Sequence, residues 1–115
     1  MVAENEKPTL EDVKYLQDTL YVIGGKWKLP IMLTLGNGYT RFSDLLKNIP
    51  NITARMLSKE LKELEMNKII TRKVYDEYPV KIDYEFTEYC KSFRPIIDQM
   101  IEWGKKHRAY VMSQK

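Results

Sequence analysis

The 115-residue chain has one cysteine, Cys90, and one histidine, His107. A lone thiol excludes an internal disulfide and fits a reducing cytoplasm. The single His and the single Cys are well apart, so no nucleophile–base pair is visible. No Cys/His cluster offers a metal its ligands. Carboxylates are scattered, without a pair that periodicity places in a shared cleft, so neither catalysis nor a cofactor is expected. No apolar run reaches the roughly 18 residues of a membrane span. The opening MVAENEKPTL, with early acids and no apolar stretch, does not read as a secretion signal. Internal repeats and low-complexity tracts are missing as well. "GGK" at Gly24–Lys26 is not a phosphate loop, because Trp27 stands where Ser or Thr is required and the upstream glycine is absent.

What is present is an ordinary globular composition, 43% hydrophobic and 30% charged, with a net charge of +3. That length bounds one domain with one modest core, expected over residues 9–115 behind a loose tail at 1–8. A weakly basic balance names no partner by itself; the placement of the cations matters more.

Thr9 opens a helix in capping-box form, "TLED". Leu10, Val13, Leu16, Leu20 and Ile23 then make one apolar stripe, and Gly24-Gly25 ends it. "KWKLPIMLTLGNG" has little polar face: Leu29, Ile31, Met32, Leu33 and Leu35 place this helix at the centre of the core, with Pro30 tolerated in its first turn. Thr40 is the expected cap of a third helix carrying Phe42, Leu45, Leu46 and Ile49. "IPN" breaks that helix and Thr53 caps the next. Two amphipathic helices joined by a tight turn have helix-turn-helix spacing, which many αα-hairpins share.

The fourth helix, "NITARMLSKELKELE", separates its residues by chemistry. At about 100° per residue, Leu57, Leu61 and Leu64 cluster with Ala54 beside them, while Arg55, Lys59 and Lys62 fall opposite within a sector about 60° wide. Glu60 and Glu63 lie on one flank and Ser58 on the other. The bland reading is a solvated face in which Lys59 pairs with Glu63. The sharper one is a recognition helix. Thr53 and Ser58 allow close approach, Arg55 suits a guanine edge, and Lys59 and Lys62 suit phosphates.

After Asn67 the period changes to two. Val80, Ile82, Tyr84 and Phe86 alternate with Lys81, Asp83, Glu85 and Thr87, predicting a half-buried strand, and "DEYP" is the turn of a hairpin. A hairpin directly after a helix-turn-helix is a wing. Arg72, Lys73 and Lys81 on its strands, with Arg41 at the start of the supporting helix, are candidate phosphate contacts; the acidic tip Asp76-Glu77 is not. A final helix over about Thr87 to Met112 has Pro95 early. It carries Phe93, Ile96, Ile97, Met100, Trp103, His107, Tyr110 and Val111 near heptad spacing, with Ile101 adding width. The fold class is α+β, mainly α.

"GGKW", "RFSDLLKNIPNITARMLSKELKELE", "YPVKIDYEFTEY" and "WGKKH" resemble the HxlR-type winged helix-turn-helix transcriptional regulators of bacteria, in order, from about Val13 to His107. The resemblance implies a homodimer on double-stranded operator DNA. Its first and last helices would form the interface (Leu10, Val13, Leu16, Leu20, Ile97, Met100, Trp103, His107, Tyr110 and Val111). The recognition helix would lie at about Thr53–Asn67 and the wing around Tyr78-Pro79. Many members have a cysteine before or within the first helix; "EKPTLEDVKYLQD" has none, and Cys90 stands where the family usually has glycine. Two other readings remain: a winged-helix module that binds protein only, and a redox-responsive regulator switched through Cys90. Trp27, Tyr15, Tyr21, Trp103 and Tyr110 read as packing residues or, alternatively, as the lining of a site for an unknown small-molecule effector.

Overall fold

The computed structural model describes residues 6–114. The expected tail lies mostly outside them; its described residues, Glu6 to Pro8, are exposed and have no regular structure. The order is α1 (Val13–Ile23), α2 (Lys28–Gly36), α3 (Phe42–Asn48), α4 (Ala54–Met66), β1 (Ile70–Tyr75), β2 (Lys81–Phe86) and α5 (Arg94–Ser113). Short 3-10 segments at Leu10–Asp12 and Tyr89–Phe93 precede α1 and α5. This is the mainly helical winged helix-turn-helix that the periodicities predict.

The core is built where apolar stripes meet. Ile31 and Leu35 of α2, Leu45 of α3, and Leu57, Leu61 and Leu64 of α4 are all buried, with Ile49, Ile52, Ile69 and Ile70 closing the ends. Met56, off the leucine face of α4, packs half-buried against the same cluster. Between α3 and α4 the chain turns through Asn51, whose φ of 68° is one that Asn tolerates better than most residues. The Thr53 hydroxyl then accepts the Met56 N–H at 3.1 Å, the expected cap of α4.

The far end of α4 closes in a Schellman motif. Ile69 N–H bonds the Leu64 carbonyl and Lys68 N–H bonds that of Glu65, both at 3.0 Å. Lys68 occupies the left-handed position, φ 64°, where glycine costs least. Ile69 is thereby folded under the helix, and β1 begins one residue later.

Five expectations change. Thr40 does not cap α3, whose cap position is Arg41. The Thr40 hydroxyl instead donates to Asp83 at 3.1 Å, and its carbonyl accepts the Tyr84 N–H at 2.9 Å, fastening the wing to α3. Leu33 is 53% exposed, because α2 turns that side toward an open groove beside α5. Ala54 is exposed too, since the first turn of α4 projects beyond the leucine contacts. Of the β2 alternation only Tyr84 is buried; Ile82 is half-buried, while Val80 and Phe86 are exposed. Lastly, α5 starts at Arg94 rather than Thr87, because the Thr87 hydroxyl accepts the Cys90 N–H at 3.0 Å and holds a 3-10 segment first.

Replacing Lys68 by glycine relieves the left-handed strain and is expected to raise stability by about 1 kcal/mol. Leu61→Ala, at a fully buried core site, is expected to lower it by about 3 kcal/mol. Urea unfolding midpoints check both.

Candidate nucleic-acid interface

Burial of Leu57, Leu61 and Leu64 fixes the rotation of α4, and with it what faces out. Thr53, Arg55, Ser58, Lys59 and Lys62 are all exposed on the outer side. Among the described residues, Arg55 and Lys62 have no carboxylate within ion-pair distance, and Lys59 approaches Glu63 at 3.8 Å. An exposed pair of that kind contributes about 0.3–0.5 kcal/mol and leaves the lysine free to swing to another anion.

Two of the three acids of α4, Glu60 and Glu63, are engaged elsewhere. Lys28, on α2 and only 6% exposed, places its Nζ 2.6 Å from Glu60 and 2.6 Å from Glu63. Burial works against the Lys28 charge, but hydrogen bonds to the two glutamates outweigh it and raise its pKa above the ordinary 10.5. The Lys28 hydrogen bond prevails over burial and, with the attraction of Lys28 and Lys59, holds the Glu63 carboxyl below the ordinary 4.5.

The wing places its cations on two faces. Register pairs Arg72 with Tyr84, Lys73 with Asp83 and Tyr75 with Lys81. Opposed residues share a face, so Arg72 lies with Ile82, Tyr84 and Val74, whereas Lys73 and Lys81 lie with Asp83 and Glu85. Lys73 approaches Glu85 at 3.9 Å and Lys81 approaches Asp83 at 4.0 Å; Arg41 reaches Asp83 at 3.4 Å. Arg72 has no such partner among the described residues, so the two faces of the wing differ in free positive charge.

This geometry agrees with the relatives. The HxlR-like helix-turn-helix family model matches residues 22–112. The chain belongs to that family. HxlR-like relatives include the HTH-type transcriptional regulator YtcD of Bacillus subtilis (strain 168), 44% identical over 101 residues, 85% of this chain and 80% of that one. Another is an HTH-type transcriptional regulator of Methanothermobacter thermautotrophicus (strain Delta H), 47% identical over 88 residues, 76% of this chain and 67% of that one. In solved structures the fold is similar to the redox regulator HypR in its reduced form. That match has a TM-score of 0.74 and 40% identity, covering 86% of this chain and 98% of that one. As an HxlR-like protein the chain is therefore a helix-turn-helix transcriptional regulator.

The HxlR-like chain leaves its outer helices largely uncovered among the described residues. Among the described residues of α5 none is buried, and in α1 only Ile23 is. Leu10, Val13, Leu16 and Leu20 stand exposed, as do Met100, Trp103, Tyr110 and Val111. Ile97 alone of the named set is half-buried, against the core. His107 is exposed and stacks on Trp103, centroids 4.8 Å apart. Of the aromatics considered as pocket lining, Tyr15, Tyr21, Trp103 and Tyr110 are exposed, and Trp27 packs half-buried on the core. Trp103 lines an open recess on α5 with Pro95, Ile96, Gln99 and Met100. A separate groove of about 840 Å³ runs between α2 and α5 and is lined by Leu29, Leu33, Phe86, Phe93 and Ile97, among others. Cys90 also borders it, buried, and that burial pushes its thiol pKa up.

The residue that sequence reasoning missed is Lys28. Its signals were a lysine opening an otherwise apolar helix and two acids three apart on the α4 flank. A pH dependence follows from the cluster. The Glu63 contribution to stability is full above the unfolded value of 4.5 and is lost as pH falls through the lower folded value. The Lys28 contribution is full below 10.5 and is lost only as pH rises past its higher folded value. Urea midpoints followed from neutral pH down to about pH 3 should fall less steeply in Glu63→Gln than in the natural chain.

Proposed function

We propose that two copies of this chain pair through α1 and α5 and bind operator DNA, with one α4 from each copy in the major groove. The outward α4 face carries the reading: exposed Thr53, Arg55, Ser58, Lys59 and Lys62, with Glu60 and Glu63 of the same helix drawn to its inner flank. Arg55 is the base-reading residue, because a guanidinium fork matches a guanine edge. Lys59 and Lys62 meet phosphates. Arg72 is the wing residue best freed to join them; Arg41, Lys73 and Lys81 must first exchange an intramolecular carboxylate for a phosphate. Adjacent half-sites then require the two α4 helices about 34–36 Å apart.

Pairing is supported by the exposed apolar residues of α1 and α5, since contiguous exposed apolar surface marks interaction sites. Trp103, 66% exposed at the middle of α5, is the natural anchor. The Trp103→Glu protein is expected to sediment as a monomer and to lose half-site cooperation on DNA. Arg55→Ala is expected to cost about 1–3 kcal/mol of operator affinity and to relax preference at one base position. Lys62→Ala should weaken all sequences about equally and make the salt slope shallower by roughly 0.9. Selection of duplexes from a random pool, followed by binding titrations in rising salt, checks these outcomes. A protein-only interaction module would give no retention by DNA at low salt.

The likeness to HypR favours a second reading, redox switching through Cys90. The buried thiol with its raised pKa weighs against it. Cys90→Ser is therefore expected to leave any response of DNA binding to oxidants unchanged.

A further inference from the structure

Counted along its own residues, α4 is not a cationic helix. Arg55, Lys59 and Lys62 are offset by Glu60, Glu63 and Glu65. A neutral rod gains little from a polyanion, and acids one position from Lys59 and Lys62 would repel the phosphates those lysines meet. The structure resolves this from outside the helix. The ammonium of Lys28, held under α4 by the first turn of α2, bonds Glu60 and Glu63 together and adds a positive charge behind them. Glu60 is left with a side chain only 13% exposed and Glu63 with one 30% exposed, whereas that of Lys59 remains 72% exposed. Glu60 and Glu63 therefore sit on the inner flank and the cations on the outer face, while Glu65, half-buried, lies outside this cluster. The same two bonds also fasten α4 to α2, setting its rotation by charge as well as by its leucines.

We infer that Lys28 is a positioning residue for DNA binding, which draws Glu60 and Glu63 inward and offsets their charge so that Arg55 and Lys62 face the duplex with no carboxylate partner among the described residues and Lys59 with only the loose 3.8 Å approach of Glu63. The inference rests on the assignment of α4 as the helix that meets DNA. It names a residue that controls affinity without touching nucleic acid. It also predicts an electrostatic signature that a purely structural role lacks.

The experiment measures binding of the full chain to a short mixed-sequence duplex at low and at high salt, with circular dichroism confirming the fold of each variant. Lys28→Met should bind about tenfold more weakly at low salt, with the deficit shrinking as salt rises. Adding Glu60→Gln and Glu63→Gln to Lys28→Met removes the uncovered acids and should restore native affinity or better. Lys28→Arg, which keeps the charge, should bind as the natural chain does. Glu63→Gln alone leaves the Lys28–Glu60 pair in place, releases Lys59, and should bind about threefold more tightly at low salt. A folded Lys28→Met protein with native affinity overturns the inference. So does a loss that persists at high salt and is not recovered by the neutralised triple variant. Should Lys28→Met fail to fold, Glu63→Gln decides: unchanged or weaker binding rejects the idea. Arg55→Ala and Lys62→Ala serve as the reference. If both leave affinity intact, the groove-face assignment itself is wrong. If both weaken binding while the Lys28 and Glu63 variants do not, only the role of Lys28 falls.

Discussion

The orientation of α4 is the constraint on which the rest of the molecule depends. Three leucines with essentially no exposure hold one edge of the helix against α2, α3 and the root of the wing. Once that edge is buried, helical geometry leaves no freedom over what the opposite edge presents. The Thr53 cap fixes where the helix begins, and the Schellman turn at Lys68 fixes where it ends and the hairpin starts. Each local device serves the same end, a short cationic face held at a defined height and rotation above a small core.

That core takes in little of the outer helices. Two amphipathic helices, α1 and α5, bring apolar side chains into the structure without finding anything in the described chain to cover them. Hydrophobic burial is the main favourable term in folding, at roughly 25 cal/mol per Å². Leaving Leu16, Leu20, Trp103 and Tyr110 in water therefore forgoes much of what these helices could contribute. On the proposed pairing, association and folding would be linked, and the symmetry of the pair would also set the separation of the two α4 helices.

Most of the fold was readable from period alone. The shift from a 3.6-residue to a two-residue repeat at Asn67 located the wing, and the spacing of Leu57, Leu61 and Leu64 located the outward face of α4. What periodicity could not supply was the identity of partners across the chain. Thr40 has the chemistry of a cap, yet a carboxylate 43 positions away competes for its hydroxyl and wins. Leu33 has the chemistry of a core residue, but it lies on the side of α2 that faces the open groove beside α5. Lys28 drew no reading from the sequence, since a lysine is buried only when carboxylates reach it, and those carboxylates are 32 and 35 residues away. The faces of the wing cations likewise required the register of the hairpin, which fixes Arg72 opposite Tyr84.

Asp83 has a consequence for mechanics. It receives the Thr40 hydroxyl and lies near both Arg41 and Lys81, so a single carboxylate ties the second strand of the hairpin to the entrance of α3. A hairpin anchored there cannot swing independently of the helices beneath it. On the proposed docking, the protomer would meet a duplex as one stiff caliper with a preset gap between helix tip and strand. Duplexes whose curvature or groove width does not suit that gap would have to deform to the protein, at an elastic cost that depends on base sequence even where no side chain reaches a base.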